Sequence, residues 1–137
     1  MRIILISIFL TLVGNSMAQQ FNVAKVSERL QNALENHSDD YYHEFSILLS
    51  DRVDVEEMDA KFYERGATIS ERTYEVITTL KEKATSTQAP ILARLNNTNQ
   101  VLSGTVQAYW ISNIIYVQAQ KGVIVDLSQR ADVDFLD

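Results

Sequence analysis

Few side chains in this sequence are equipped for chemistry. His37 and His43 are the only histidines, and both lie in a polar stretch around Asp39 and Asp40. Imidazole is the natural proton carrier near neutral pH, but a histidine needs a nucleophile or a metal to act on. No Gly-x-Ser-x-Gly elbow is present, and with only four glycines no Gly-rich run can cradle a phosphate. The absence of cysteine removes thiol nucleophiles, disulfides and thiolate metal sites. Carboxylates gather at Asp39-Asp40 and again at Asp51, Asp54, Glu56 and Glu57. Neither group has the Asp-x-Asp-x-Asp-Gly spacing with a distal Glu that encloses calcium, so both read as solvated surface. Asn36-His37-Ser38 and Asn96-Asn97-Thr98 fit the glycosylation acceptor pattern, which matters only in a eukaryotic secretory pathway. The expectation is a non-catalytic chain with no cofactor and no metal, in which both histidines are solvated.

Composition narrows the partners. A net charge of -6 gives no electrostatic footprint for nucleic acid and no attraction to anionic membranes. Hydrophobic residues at 46% against 22% charged suit a folded domain rather than a disordered chain, and 137 residues suit one domain. The first 18 residues differ from the rest. Arg2 precedes an apolar run over residues 3–13, broken only by Ser7 and Thr11, and Ser16-Met17-Ala18 sets two small residues around a larger one. That pattern predicts a secretory signal cut between Ala18 and Gln19. The run is well short of the roughly 20 residues a spanning helix needs. The expected product is secreted, or periplasmic, without stable membrane anchoring.

The remaining chain must place whatever binds. Val23, Val26, Leu30, Ala33 and Leu34 recur at helical spacing, and residues 36–40 stop that helix with a polar cluster. Residues 41–50 carry Tyr42, Phe45, Ile47, Leu48 and Leu49, a short apolar run typical of a buried strand. Val55, Met58, Asp59 and Phe62 fit a short helical turn ending at Gly66. Thr68 with Glu71 forms a capping box ahead of a stripe through Tyr74, Ile77, Leu80, Ala84, Ile91 and Leu95, read as one core-facing side. Pro90 predicts a kink or break near Ala89. Residues 101–111 read as a strand with a bulge at Gly104. Its alternation separates Leu102, Val106, Ala108 and Trp110 from Val101, Thr105, Tyr109 and Ile111. Ser112-Asn113 is a turn, and residues 114–119 are the clearest strand. A turn at residues 120–122, a helix over 123–130 facing inward through Val123, Ile124 and Leu127, and a strand over 131–137 complete the chain.

This order is the split βαβ of ferredoxin-like α+β domains, with two helices on one face of a four-stranded antiparallel sheet. The expected division is a signal at 1–18, a helical segment at 19–40 and the sheet domain at 41–137. The face away from the helices is predicted to carry apolar and aromatic residues, hence to be a docking surface. Tyr109, Ile111, Ile114 and Tyr116 are its expected members, with Leu102, Val106 and Trp110 filling the helix side.

Two stretches carry a family likeness. One is the helix ending Thr87-Gln88-Ala89-Pro90-Ile91-Leu92-Ala93-Arg94-Leu95. The other runs from Tyr109-Trp110-Ile111-Ser112-Asn113-Ile114-Ile115-Tyr116-Val117 to Leu127-Ser128-Gln129-Arg130-Ala131-Asp132-Val133. Together they resemble the propeptide of secreted subtilisin-like proteases, peptidase-inhibitor family nine, over roughly residues 41–137. The resemblance implies an intramolecular chaperone and inhibitor of a subtilisin-like serine protease domain, held in cis or met in trans. It implies a sheet face that lies on the protease and a C-terminal segment, Val133, Phe135, Leu136 and Asp137, directed toward the cleft. Asp137 is a poor residue to precede the cut, since an apolar pocket would have to desolvate its carboxylate, so the junction is expected beyond it. The likeness departs from the family in carrying no protease domain within these residues. A free-standing inhibitor, a ferredoxin-like binding module and a small secreted enzyme are the other readings that stay open.

Overall fold

The computed structural model describes residues 20–137; the expected signal at 1–18 and its expected Ala18–Gln19 junction lie outside them. A 3-10 turn at Val23–Lys25 leads into α1 (Glu28–Asn36). Then come β1 (His43–Leu49), α2 (Val55–Glu64), α3 (Ile69–Asn96), β2 (Gln107–Tyr109), β3 (Ile114–Ala119), α4 (Lys121–Ser128) and β4 (Val133–Leu136). The strands form one antiparallel sheet in the order β2-β3-β1-β4. This is the strand order of the split βαβ arrangement, so the domain is a ferredoxin-like α+β fold.

Strand alternation sets the layers. His43, Phe45, Ile47 and Leu49 of β1 and Ile115, Val117 and Ala119 of β3 point to one side and are buried. The helices supply Leu30 and Leu34, Ile91 and Leu95, and Val123, Ile124 and Leu127 to the same cluster. The segment before β1 is therefore part of the domain core. Val26 bridges to Leu136 and Ser27 N–H donates to the Leu136 carbonyl at 2.9 Å, so residues beside the 3-10 turn extend the sheet past β4. Ser27 also caps α1 by accepting from Leu30 N–H. β4 pairs only with the second half of β1, and α1 packs against that strand as well.

Four expectations need correction. Pro90 does not break α3, which runs unbroken for 28 residues. Pro90 and Ser86 are both solvent-exposed, so the Ser86 carbonyl that loses its partner can bond water. Gln88, Ile91 and Leu95 meanwhile anchor the helix on both sides of the proline. The apolar stripe of α3 faces the core only from Ala84 onward: Tyr74 is 74% exposed, and Ile77 is also exposed. That first half lies against α2 instead, where Arg72 covers the rings of Phe62 and Tyr63 and Arg65 pairs with Glu75. The strand expected over residues 101–111 shrinks to β2, leaving Val101 as a single bridge to Ala119. Gly104, at φ +80°, turns the chain there rather than bulging a strand. Residues 121 and 122 belong to α4, not to a turn.

Candidate functional site

The outward face of the sheet is built by the residues that alternate with the core. On β1 these are Glu44, Ser46 and Leu48, and on β3 they are Ile114, Tyr116 and Gln118. Register carries the face onto both edges. Tyr109 lies opposite Ile114 and Gln107 opposite Tyr116, while Phe135 lies opposite Leu48. Tyr109, Ile114, Tyr116, Leu48 and Phe135 thus form an apolar and aromatic band across all four strands. Among the described residues, those that the helices bury join the opposite side, so no helix seals the band. Tyr109 is 49% exposed and Phe135 36%.

The edge next to β2 is held by a turn that the sequence specifies. Asn113 adopts φ +52°, a left-handed conformation that asparagine tolerates better than most residues. Its side chain is buried, and Nδ2 donates to the Asp51 carbonyl at 3.0 Å and to Thr87 Oγ1 at 2.9 Å. The Thr87 hydroxyl in turn donates to the Lys83 carbonyl at 2.8 Å. Gln88, also buried, donates to the Tyr109 carbonyl at 3.2 Å. Three side chains, two on α3 and one in the turn, therefore fix the β2–β3 hairpin to the helix layer. Tyr109 is left aimed outward, its hydroxyl donating to Gln107 Oε1 at 2.6 Å.

The opposite edge is fixed from the N-terminal segment. Lys25 Nζ donates to the carbonyls of Arg130 and Val133 at 2.7 and 2.6 Å. Arg130 forks onto Asp132 at 2.8 and 2.7 Å, and those bonds hold the Asp132 carboxyl below its usual range. Asp137 exchanges backbone bonds with Ser46 at 2.6 and 3.1 Å, so the ladder continues through it.

The expected docking residues separate into two groups. Tyr109, Ile114 and Tyr116 share the outward face. Ile111 lies in the turn, 66% exposed, where strand alternation assigns it no sheet face. Of the residues expected to fill the helix side, Leu102 is exposed and only Val106 packs, partly buried, against the core. Of the expected tail, Val133 and Leu136 are core residues of an edge strand, while Phe135 and Asp137 are exposed. Leu48 is the member that sequence reasoning missed. The unbroken run Ile47-Leu48-Leu49 hid its orientation, although a two-residue period starting at Phe45 would have set it outward.

The histidines lie away from this face's centre and differ from each other. His37, at the end of α1, is exposed and its Nδ1 donates to the Ala33 carbonyl at 2.8 Å. His43 is buried, against the expectation that both are solvated, because the first residue of β1 falls on the inward register. Among the described residues no group of three metal-binding side chains converges, and no helix is long and apolar enough to cross a membrane. No protein-family model matches this chain, and neither a curated protein nor a solved structure matches it.

Proposed function

We propose that this domain is an inhibitory prodomain of the subtilisin-propeptide type, which acts as a folding template and inhibitor of a subtilisin-like serine protease. In this reading it is secreted through its first 18 residues and is not itself a hydrolase. The observation that carries the reading is the uncovered band Tyr109, Ile114, Tyr116, Leu48 and Phe135 on a four-stranded ferredoxin-like sheet. Contiguous exposed apolar residues mark interaction sites, and tyrosines are favoured anchors because they bury large area at low entropic cost. The band reaches β4, so a protease seated on the sheet would have the chain's C-terminal strand at its margin. A prodomain that binds the native protease more tightly than its unfolded form stabilises the native form by mass action.

The test is inhibition of a subtilisin-like protease by the purified protein. Tyr109→Glu with Tyr116→Glu should raise the inhibition constant by about tenfold or more, with an unchanged circular dichroism spectrum. Tyr74→Glu, at a more exposed tyrosine on α3, should leave it unchanged. Loss of inhibition in the Tyr74 variant alone would move the docking surface to the helices. Absence of inhibition by the wild-type protein would dismiss the reading.

A further inference from the structure

The start of β1 holds a buried base with nothing to bond. His43 is 3% exposed, and its Nε2 is enclosed without a hydrogen-bond partner. Around it sits a small aromatic stack. Tyr41 meets the imidazole edge-on with centroids 5.0 Å apart, His37 stands 5.6 Å away, and His37 stacks on Tyr41 at 4.1 Å. A cavity of about 280 Å³ runs beside this stack, between α1 and the beginning of β1.

The charges facing His43 do not favour a second proton. From α1 comes Arg29, from its C-cap His37, and from α4 Lys121. The loop carboxylates are engaged elsewhere: Asp39 is bound by Lys121 at 2.8 Å, and Asp40 accepts from the Ser38 hydroxyl at 2.5 Å. Tyr41 and Tyr42 are neutral phenols, and Glu44, the one carboxylate beside the cavity, belongs to the outward register of β1. A proton on His43 would therefore place a cation with a stranded N–H in a buried site, beside other cations.

We propose that His43 is a pH-sensitive latch: neutral, it lets α1 close over the start of β1, and protonated, it loosens α1 and with it the β4 edge. The link to β4 is physical. The chain entering α1 holds the last strand through Ser27 N–H on the Leu136 carbonyl and the Val26–Leu136 bridge, and α1 itself holds it through the Arg29–Asp137 ion pair at 3.5 Å. The last turn of α1 meets the latch through His37. A helix so short depends on tertiary packing for its persistence, so displacement at one end reaches the other.

The direction follows from linkage. Burial first, then His37 and Lys121, hold the His43 pKa below its ordinary value of 6.5. Between that value and the lower folded one the unfolded chain binds the extra proton and the folded chain does not. Stability therefore falls as pH drops below about 6.5 and levels off beneath the folded pKa.

The experiment is a titration of the full chain, followed by histidine ring signals in nuclear magnetic resonance and by amide hydrogen exchange. His43 should titrate below its ordinary value of 6.5. Between pH 7 and pH 5, exchange corrected for its intrinsic pH dependence should rise about tenfold or more in α1 and β4 while β3 stays protected. His43→Phe should remove that rise. If this variant does not fold, the wild-type ring titration still decides. His43 titrating at or above its ordinary value of 6.5, an even loosening that includes β3, or the same pH response in His43→Phe would each overturn the proposal. None of these outcomes depends on protease inhibition.

Discussion

The two faces of the sheet are made by the same strands from the same kinds of residue, yet one is sealed and the other is not. Inward, Phe45, Ile47, Leu49, Ile115 and Val117 are each no more than 1% exposed. Outward, Leu48, Ile114 and Tyr116 are only half-buried, and Tyr109 and Phe135 at the edges are open. Hydrophobicity alone does not separate the faces; partners do. The inner face meets Leu30, Leu34, Ile91, Leu95, Ile124 and Leu127, and the outer face meets no helix among the described residues. In this domain the residues that stabilise the fold and the residues available for recognition alternate along each strand, so single substitutions can address one without the other.

The largest expected effect tests that separation. Phe45→Ala should cost about 3 to 5 kcal/mol, through lost transfer energy and the cavity left among helix residues that cannot collapse into it. Its outward neighbours should behave differently. Leu48→Ala or Tyr116→Ala should cost less, about 1 kcal/mol, since those side chains keep part of their surface in water. Urea unfolding of the three variants, compared at constant m-value, measures both. Similar losses on the two faces would mean that the outer face is sealed, and the docking reading would lose its basis.

A second contrast runs along α3. From Ala84 to its end the helix is bound to the sheet, whereas its first half leans on α2 with Tyr74 and Ile77 exposed. Pro90 sits in the bound half yet points to solvent. Its ring therefore imposes the helix-interior penalty without contributing packing. Pro90→Ala should stabilise the protein by about 2 kcal/mol, somewhat less than the full proline penalty because proline also restricts the unfolded chain. A neutral or destabilising result in the same urea assay would show that the ring makes a contact that holds the helix to the sheet.

These contrasts also explain what the sequence disclosed. The strands β1 and β3, the α4 face through Val123, Ile124 and Leu127, and the capping box were legible because each is a local pattern with one structural solution. The split of α3 was not legible. A stripe at helical spacing says that a face is apolar, and it does not say whether sheet, a second helix or water lies against it. Pro90 misled because the cost of a proline depends on whether the orphaned carbonyl reaches solvent, which is a tertiary fact. The band was legible in part: Tyr109, Ile114 and Tyr116 follow from alternation around the Asn113 turn. Ile111 fell out because the turn begins at Trp110, two residues earlier than composition suggests. His43 was read as solvated because its neighbours in sequence are polar, although its register places it with Phe45 and Ile47.

The smallest effect belongs to the first turn of α3. Thr68 Oγ1 accepts from Glu71 N–H at 3.3 Å, and Glu71 Oε2 accepts from the Thr68 N–H and hydroxyl at 2.7 Å each. Those bonds hold the Glu71 carboxyl below its ordinary value of 4.5. Its contribution is therefore complete above that value and is lost as pH falls through the lowered folded pKa. Because this half of the helix has no sheet beneath it, the loss should stay local. Thr68→Ala should cost about 1 kcal/mol, seen as faster amide exchange confined to the start of α3, with β3 unchanged. Lowering the pH through the carboxylate range should produce the same local fraying in the wild type. Glu71→Gln should show less of that pH response, since its amide does not titrate. Fraying that spread from Thr68→Ala into β3 would show that the two halves of α3 unfold together, and the distinction between a bound half and a free half would fail.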